Sequence, residues 1–228
     1  MSKEKLTLKQ RLLESIDSFF RRRIVYFWIL LSVIALVIIG VFVWSAIDKN
    51  IRQESTSLVE AAEEKYSDWL IESDENIKTA NEENLLDDLA EIIKNYPRQF
   101  AAQKALSLRA NLYFEKGEWE KAAKDYKDIS QSFPKSYYAP IALFNAGISY
   151  EESGDLDSAI DAFAKIVATY KDSYDAPYAL YMMGRISEKR GKYKEAEQHY
   201  SQLKDQYQNS NWSKLAQNRI IYLQIQEQ

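Results

Sequence analysis

The most constraining feature of this 228-residue chain is an internal repeat with a period of 37 residues. Gly117, Gly154 and Gly191 are 37 residues apart, and each opens a similar phrase: Gly-Glu-Trp-Glu-Lys-Ala, Gly-Asp-Leu-Asp-Ser-Ala and Gly-Lys-Tyr-Lys-Glu-Ala. A period of this length indicates a stack of small supersecondary units, none of which can bury its apolar side chains alone. The repeat therefore predicts one continuous array over most of the chain.

The residues that recur within each unit predict a pair of antiparallel α-helices, which we call helix A and helix B. Helix A precedes the glycine and carries a small residue at Ala110, Gly147 or Gly184. Helix B follows the glycine and repeats one small and two aromatic columns: Ala122, Ala159 and Ala196; Tyr126, Phe163 and Tyr200; Phe133, Tyr170 and Tyr207. Glycine between the helices favours a left-handed turn. We expect the small residues to let neighbouring helices approach closely and the aromatic rings to fill the remaining space.

The composition agrees with long helices joined by short turns. The chain has only 6 Gly and 4 Pro, and five of the glycines fall on the two recurring columns. Pro134, Pro140 and Pro177 lie where one unit meets the next, at positions where helices end or begin. The chain has no Cys, which excludes disulfides, thiolate metal sites and a cysteine nucleophile.

These columns resemble the tetratricopeptide repeat. The resemblance rests on the second unit and the junction before it: Pro134, Leu143, Gly147, Tyr150, Gly154, Ala159 and Phe163. The chain departs from the family where leucine replaces a helix A tryptophan, and where the period is 37 instead of the commonest 34. The resemblance covers about residues 84–228. It implies an all-α solenoid of antiparallel helix pairs that binds other proteins.

A second feature is a run of 24 residues without a charge, from Ile24 to Ile47. As a helix it would be roughly 36 Å long, enough to cross a hydrocarbon core of about 30 Å with some tilt. Tyr26, Trp28 and Trp44 lie near its ends, where aromatic rings favour the membrane interfaces. A cleaved signal peptide is the competing interpretation, but the run is too long and ends in a poor cleavage site. We therefore predict a single transmembrane helix.

Charge is distributed unevenly about this segment. Residues 1–23 carry seven Lys/Arg and three Asp/Glu, a net +4, whereas residues 48–228 carry 23 Lys/Arg and 31 Asp/Glu, a net −8. The positive-inside rule then places the N-terminus in the cytoplasm and the repeats in the periplasm of a bacterial inner membrane. Residues 5–20 have apolar side chains at helical spacing and a possible capping box at Thr7 and Gln10. An amphipathic helix on the membrane and a partly ordered tail both fit that segment.

The ends of the array are less regular than its middle. Tyr96-Pro97 precedes Phe133-Pro134 by 37 residues, which indicates a degenerate earlier repeat whose helices are joined by a polar loop from Glu72 to Asn84. The last stretch supplies only one helix, which we interpret as a cap. The predicted divisions are a basic tail at 1–23, a transmembrane helix at 24–47, a neck at 48–57, a degenerate first repeat at 58–98, three repeats at 99–211 and a capping helix at 212–228.

The sequence contains no recognisable catalytic chemistry. His199 is the only histidine, which removes histidine metal sites and Cys/His nucleophile pairs. A Gly-rich phosphate loop is also missing from the sequence. The acidic body argues against nucleic acid, since phosphate binding needs a basic face. We predict that the protein is not an enzyme and uses no cofactor, metal or small-molecule substrate.

The tetratricopeptide resemblance implies a protein-binding groove lined by helix A. Alignment of the repeat columns assigns its principal residues: Phe114, Ile141, Phe144, Ile148, Glu151, Tyr178, Tyr181 and Arg185. This set is richer in Phe, Tyr and Ile than a solvated face needs, which favours contact with proteins. Individual rings could instead pack against the neighbouring unit or the capping helix.

The layout of basic tail, single span and helical repeats resembles the YfgM-type ancillary subunits of the Sec translocon. The junction phrase from Phe133 to Ala142 is similar to repeats of the outer-membrane assembly lipoprotein BamD and of the Tol-Pal accessory protein. These resemblances imply translocon subunits, chaperones or client chains as partners. The alternative function is a structural scaffold in an outer-membrane assembly, cell-division or flagellar complex.

Overall fold

The computed structural model describes residues 7–226, and over that range the chain is built from α-helices. Their bounds are α1 Leu8–Ile71, α2 Glu75–Asn95, α3 Phe100–Glu115, α4 Trp119–Ser132, α5 Tyr138–Ser153, α6 Leu156–Thr169, α7 Asp175–Lys189, α8 Tyr193–Gln206 and α9 Asn211–Gln226. The predicted all-α class is confirmed. By internal contacts the chain divides into two compact units, with the boundary between Gln53 and Glu54. Residues 1–6 of the predicted tail and 227–228 of the predicted cap lie outside the described residues.

The N-terminal unit consists of the first part of α1. The helix begins after Thr7, whose backbone N–H donates to Gln10 Oε1 at 2.9 Å, as one half of a capping box. The side chains from Ile24 to Ile47 are all exposed, and this part of the helix has a mean hydropathy of 2.9 over its most apolar window. The helix is therefore long and apolar enough to cross a membrane.

The second unit stacks helices in pairs, with α3, α5 and α7 as A helices and α4, α6 and α8 as B helices. Neighbouring helices pack along the whole array, and A helices also contact one another, α5 with α7 and α7 with α9. The degenerate first pair is formed by the last turns of α1 and by α2. Val59 and Trp69 of α1 share a core with Leu89 of α2 and Leu112 of α3, so the first pair joins the array through buried side chains.

The connection between α1 and α2 differs from the sequence prediction. The stretch from Glu72 to Asn84 was expected to be a loop, but α2 begins at Glu75 and only three residues connect the helices. Asp74 is the N-cap, and its Oδ1 accepts from the backbone N–H of Asn76 at 2.9 Å and of Ile77 at 3.3 Å. The first turns of α2 are polar because they are largely exposed, not because they lack helical structure.

The turns and close contacts between paired helices follow the predicted columns. Gly117, Gly154 and Gly191 have φ angles of 73°, 84° and 70°, which confirms the left-handed turns. A Cβ atom at Gly147 would lie 2.6 Å from the Phe163 ring, and one at Gly184 would lie 2.3 Å from the Tyr200 ring. Glycine at these two positions therefore lets helix A touch the aromatic ring of its own helix B.

In the first full repeat, one ion pair crosses from helix A to helix B. Arg109 of α3 donates to both carboxylate oxygens of Asp125 on α4, at 2.7 and 2.9 Å. Asp125 is buried, with 3% of its surface exposed, and its hydrogen bonds raise the pKa of the Arg109 guanidinium. A buried carboxylate needs such a partner, so the pair fixes how α3 meets α4.

Candidate protein-binding face

The predicted groove residues lie on one stripe of the A helices, which we call the A-helix face. It comprises Lys104, Ser107, Asn111 and Phe114 of α3, Ile141, Phe144, Ile148 and Glu151 of α5, and Tyr178, Tyr181, Arg185 and Glu188 of α7. Residues three, four and seven apart share a side of an α-helix, so the four residues on each helix form a continuous strip. Apart from the exposed Arg185, these side chains are half-buried.

Three of the four aromatic residues of the face, Phe144, Tyr178 and Tyr181, belong to one contiguous cluster. Phe144 lies 4.6 Å from Tyr178 between ring centroids, and Tyr178 stacks on Trp212 of α9 at 3.8 Å with a 7° interplanar angle. Tyr181 lies 5.2 Å from Trp212 and 5.6 Å from Tyr200. These rings therefore hold the second repeat, the third repeat and the capping helix together, and Phe144, Tyr178, Tyr181 and Trp212 remain partly exposed.

The remaining apolar residues of the face, Phe114, Ile141 and Ile148, are partly packed against the array and partly exposed. Phe114 meets the Trp119 ring edge-on at 4.8 Å, so it closes the turn between α3 and α4. Ile148 packs against the core of the second and third repeats, and Ile141 is half-buried. Their position between core and solvent matches residues that support a binding surface while contributing to stability.

The C-terminal end of the face contains a hollow of about 610 Å³ between α7, α8 and α9. Its walls are Tyr181, Arg185, Glu188, Lys189, Tyr193, Arg219, Tyr222, Leu223 and Gln226. Sequence reasoning included Tyr181 and Arg185 but missed the contribution of α9. The signal was present, because Tyr222 follows Arg185 by 37 residues and so continues the groove column into the capping helix.

Paired charges line this hollow. Arg219 donates to Glu188 through two nitrogens, one of them at 3.0 Å, and the Tyr200 hydroxyl donates to the same carboxylate at 2.6 Å. Burial alone would raise the pKa of Glu188, but these donors outweigh it and lower that pKa. Burial and the neighbouring carboxylate raise the pKa of Tyr200, which stays protonated as a donor.

A second, looser group of charges lies next to the hollow. Arg185 and Lys189 approach Glu151 of the preceding A helix at 3.8 and 3.7 Å. The Glu151 side chain is only 12% exposed, whereas those of Arg185 and Lys189 are 48% and 56% exposed. The two cations can therefore turn toward a bound partner without leaving the array.

The structure places His199 away from the A-helix face. It lies on α8 with a side chain that is 17% exposed, 4.0 Å from Glu195, and burial lowers its pKa. Within residues 7–226, no group of three or more His, Cys, Asp or Glu side chains is arranged to hold a metal ion.

The fold and its A-helix face define a class of protein, the helical-repeat solenoids. The family model of the tetratricopeptide repeat matches residues 107–174 and 144–211, so residues 107–211 contain tetratricopeptide repeats. Proteins of this fold act as protein–protein interaction scaffolds.

One solved structure shows the same fold at low sequence identity. A tetratricopeptide repeat protein from Parabacteroides merdae ATCC 43184 is 16% identical, with a TM-score of 0.51. The match covers 74% of this chain and 60% of that chain, so this chain spans less than two thirds of the relative's length. MamA is 14% identical, with a TM-score of 0.43 and coverage of 69% of this chain and 96% of MamA. A search of curated protein sequences found no match.

Proposed function

We propose that this protein is a membrane-anchored interaction module that binds other proteins through its A-helix face. The observation that carries the proposal is the hollow at the end of that face, which is lined by partly exposed tyrosines and the exposed cations Arg185 and Lys189, and whose Tyr181 packs on the Trp212 ring. Aromatic and arginine side chains dominate the energetics of protein interfaces. Tetratricopeptide repeats supply such surfaces without catalytic chemistry.

The anchor is the apolar part of α1. Its side chains from Ile24 to Ile47 are exposed, and a charge-free stretch of this length left in water would be a large aggregation-prone surface. Burial in lipid removes that surface from water at about 25 cal/mol per Å². The +4 charge of residues 1–23 favours a cytoplasmic N-terminus, with the repeats on the other side of a bacterial inner membrane.

The partners we propose are translocon subunits, periplasmic chaperones or emerging client chains. A second candidate function, a scaffold in a cell-envelope complex, is favoured by the many ring contacts that make the face rigid. A rigid face suits one folded partner, whereas client binding requires a surface that accepts many sequences. The two candidates therefore differ in the number of partners that bind.

The test is site-specific crosslinking in the native membrane. A photo-reactive residue replaces Arg185 or Tyr222, which line the hollow; Tyr181 is avoided because its ring packs on Trp212. Lys165, exposed on helix B, serves as the matched control. Many adducts at Arg185 and Tyr222 alone would support the client-binding role, and one dominant adduct would support the scaffold role. Equal adducts at Lys165, or none at the hollow, would refute binding through the A-helix face.

A further inference from the structure

A row of exposed aromatic side chains follows the junctions between repeats. Each junction connects a helix B to the next helix A, and the four junction loops (96–100, 133–137, 170–174 and 207–211) form what we call the junction edge. Phe100, Tyr137 and Tyr174 occupy the same repeat position and are 60%, 80% and 88% exposed. Asn211 takes this position at the last junction, so the aromatic row ends there.

The last three junction loops are held next to one another by hydrogen bonds between repeats. The Tyr170 hydroxyl donates to the Pro134 carbonyl at 3.0 Å, and the Tyr207 hydroxyl donates to the Lys171 carbonyl at 2.9 Å. Both bonds connect a loop to the loop one repeat earlier. These bonds fix the positions of the exposed Tyr137 and Tyr174 rings relative to each other. Exposure of aromatic rings to water is unfavourable, and contact with a partner surface would remove them from water.

Each aromatic residue of the row has an exposed cation two or three residues before it. These cations are Arg98 before Phe100, Lys135 before Tyr137, and Lys171 before Tyr174. Asp172 is the one acidic residue in the four loops, so the edge carries a net +2 within a region, 48–228, of net −8. Because the edge is positively charged, an anionic surface is its electrostatic complement.

The junction edge is also where the chain enters the array. Lys65 of α1 pairs with Asp88 of α2, and desolvation together with the nearby Glu54 carboxylate raises the pKa of Tyr96 at the end of α2, so these two helix segments run antiparallel. Glu54 therefore lies beside the first junction loop. Only six residues, 48–53, separate it from the end of the apolar segment at Ile47. Seven residues span at most about 25 Å, even when fully extended.

We propose that the junction edge docks on an anionic lipid headgroup surface through Phe100, Tyr137, Tyr174 and their neighbouring cations. This inference rests on the membrane anchoring proposed above. Tyrosine and phenylalanine rings favour the headgroup region, and Lys and Arg beside them reach lipid phosphates. Because the tether converts docking into an intramolecular step, contacts too weak to bind a free protein suffice.

Docking of this edge fixes which part of the protein remains open to partners. The glycine turns at Gly117, Gly154 and Gly191 lie at the opposite ends of the A helices, about 22 Å away for a helix of 15 residues. The turns would point away from the lipid, and the A-helix face would stand upright on the membrane. A partner protein approaching the face would then meet it next to the bilayer.

The experiment uses the full chain in lipid nanodiscs of phosphatidylglycerol that contain a headgroup-nitroxide lipid. Because the chain has no Cys, single variants Ser132→Cys and Thr169→Cys, exposed at the ends of α4 and α6 next to the junction loops, can each carry one fluorescent label and leave the docking rings in place. Glu152→Cys, exposed beside the Gly154 turn, is the control at the opposite edge. We expect quenching at positions 132 and 169 but not at 152, and weaker quenching in phosphatidylcholine discs.

A pair of charge variants tests the electrostatic contribution. Arg98→Glu/Lys135→Glu/Lys171→Glu should reduce quenching at position 169, with about a fivefold loss in the docking equilibrium constant for each unit of positive charge removed. Lys124→Glu/Lys165→Glu/Lys194→Glu, which changes the net charge equally on exposed helix B positions, should leave it unchanged. Protein that stays in the discs with equal quenching at 132, 169 and 152 would overturn edge docking alone. Protein that fails to stay in the discs would overturn the anchoring and, with it, this inference.

Discussion

At the scale of single residues, Gly184 and Ser187 lie one turn apart on α7 and are packed differently. Gly184 leaves no space for a Cβ atom, because the Tyr200 ring would lie 2.3 Å from it. Ser187 is fully buried, and its hydroxyl has no hydrogen-bond partner. The first position is filled to its limit by a neighbouring ring, whereas the second carries a polar group that the surrounding core does not satisfy.

We expect Gly184→Ala to lower the free energy of unfolding by about 1 to 2 kcal/mol. Overpacking costs about 1 to 3 kcal/mol, and the higher helix propensity of alanine offsets up to about 1 kcal/mol of that cost. Displacement of the Tyr200 ring should also weaken its hydrogen bond to Glu188, now at 2.6 Å. Urea unfolding followed by circular dichroism measures the change.

The matched substitution Ser187→Ala should be neutral or stabilising by up to about 1 kcal/mol, because it removes a buried unsatisfied hydroxyl from the same helix. Equal destabilisation by both substitutions would show that α7 tolerates no change of side chain, and would refute the specific contact between Gly184 and Tyr200.

Glu188 gives the array a defined response to acid. Its pKa is lowered in the folded protein, so its stabilising contribution is complete above the ordinary value of about 4.3 and is lost as the pH falls through the lowered value. The difference in unfolding free energy between the wild type and Glu188→Gln should therefore shrink as the pH falls from 6 to 3. Urea midpoints at each pH give this difference.

Glu152 provides the comparison for that measurement. It is exposed on α5, and Glu152→Gln should differ from the wild type by the same small amount at each pH. A gap between wild type and Glu188→Gln that stays constant down to pH 3 would rule out the proposed carboxylate linkage between α7, α8 and α9.

At the scale of helices, Trp212 supplies the aromatic contact through which α9 packs on α7, beside the buried Ala216, Ile220 and Leu223. Trp212 stacks on Tyr178 and contacts Tyr181, both of α7. Trp212→Ala should destabilise the protein by about 2 to 3 kcal/mol, since the ring is only partly buried, and should raise amide exchange in α9 before the rest of the array. Lys214→Ala, at an exposed position of α9, should leave exchange unchanged. Exchange that rises equally in α3 and α9 would contradict a local role in the cap.

The fold could be predicted from the sequence wherever a repeat column imposes one geometry. Gly154 and Gly147 have direct physical meanings, a left-handed turn and a close helix contact, and both are present in the structure. The boundary of α2 could not be predicted in the same way. Its first turns are polar on nearly every side, and the N-cap signal at Asp74 is a single residue that polar loops also contain.

The candidate site was predictable in part. Repeat alignment assigned the stripe that carries Phe144 and Tyr178, because the stripe follows from helical periodicity. It could not show how much of each ring is used for packing, since stacking on Trp212 depends on where the capping helix lies. The hollow near Arg219 was missed because α9 was treated only as a cap, although its residues continue the same columns.

At the scale of the whole molecule, the basic N-terminal residues and the acidic repeats have different proposed roles. In the proposed anchoring, the basic residues beside the apolar segment favour a cytoplasmic N-terminus, and the acidic surface of the repeats disfavours nucleic acid. The A-helix face and the junction edge both expose aromatic rings next to cations within this acidic body. A protein partner and a lipid surface can therefore be engaged by different sides of one rigid array.

Replacement of Arg21, Arg22 and Arg23 by Asn should disturb the orientation in the membrane. These residues are three of the seven basic side chains in 1–23, so their loss lowers the net charge there from +4 to +1 and weakens the bias toward a cytoplasmic N-terminus. Gln208→Cys, exposed at the last junction, reports the side on which the array lies. In intact cells an impermeant maleimide should label this cysteine in the otherwise wild-type chain, and labelling should fall in the triple variant. Labelling of the otherwise wild-type chain only after permeabilisation would place the array in the cytoplasm, and the client and scaffold roles proposed for the periplasm would then both be wrong.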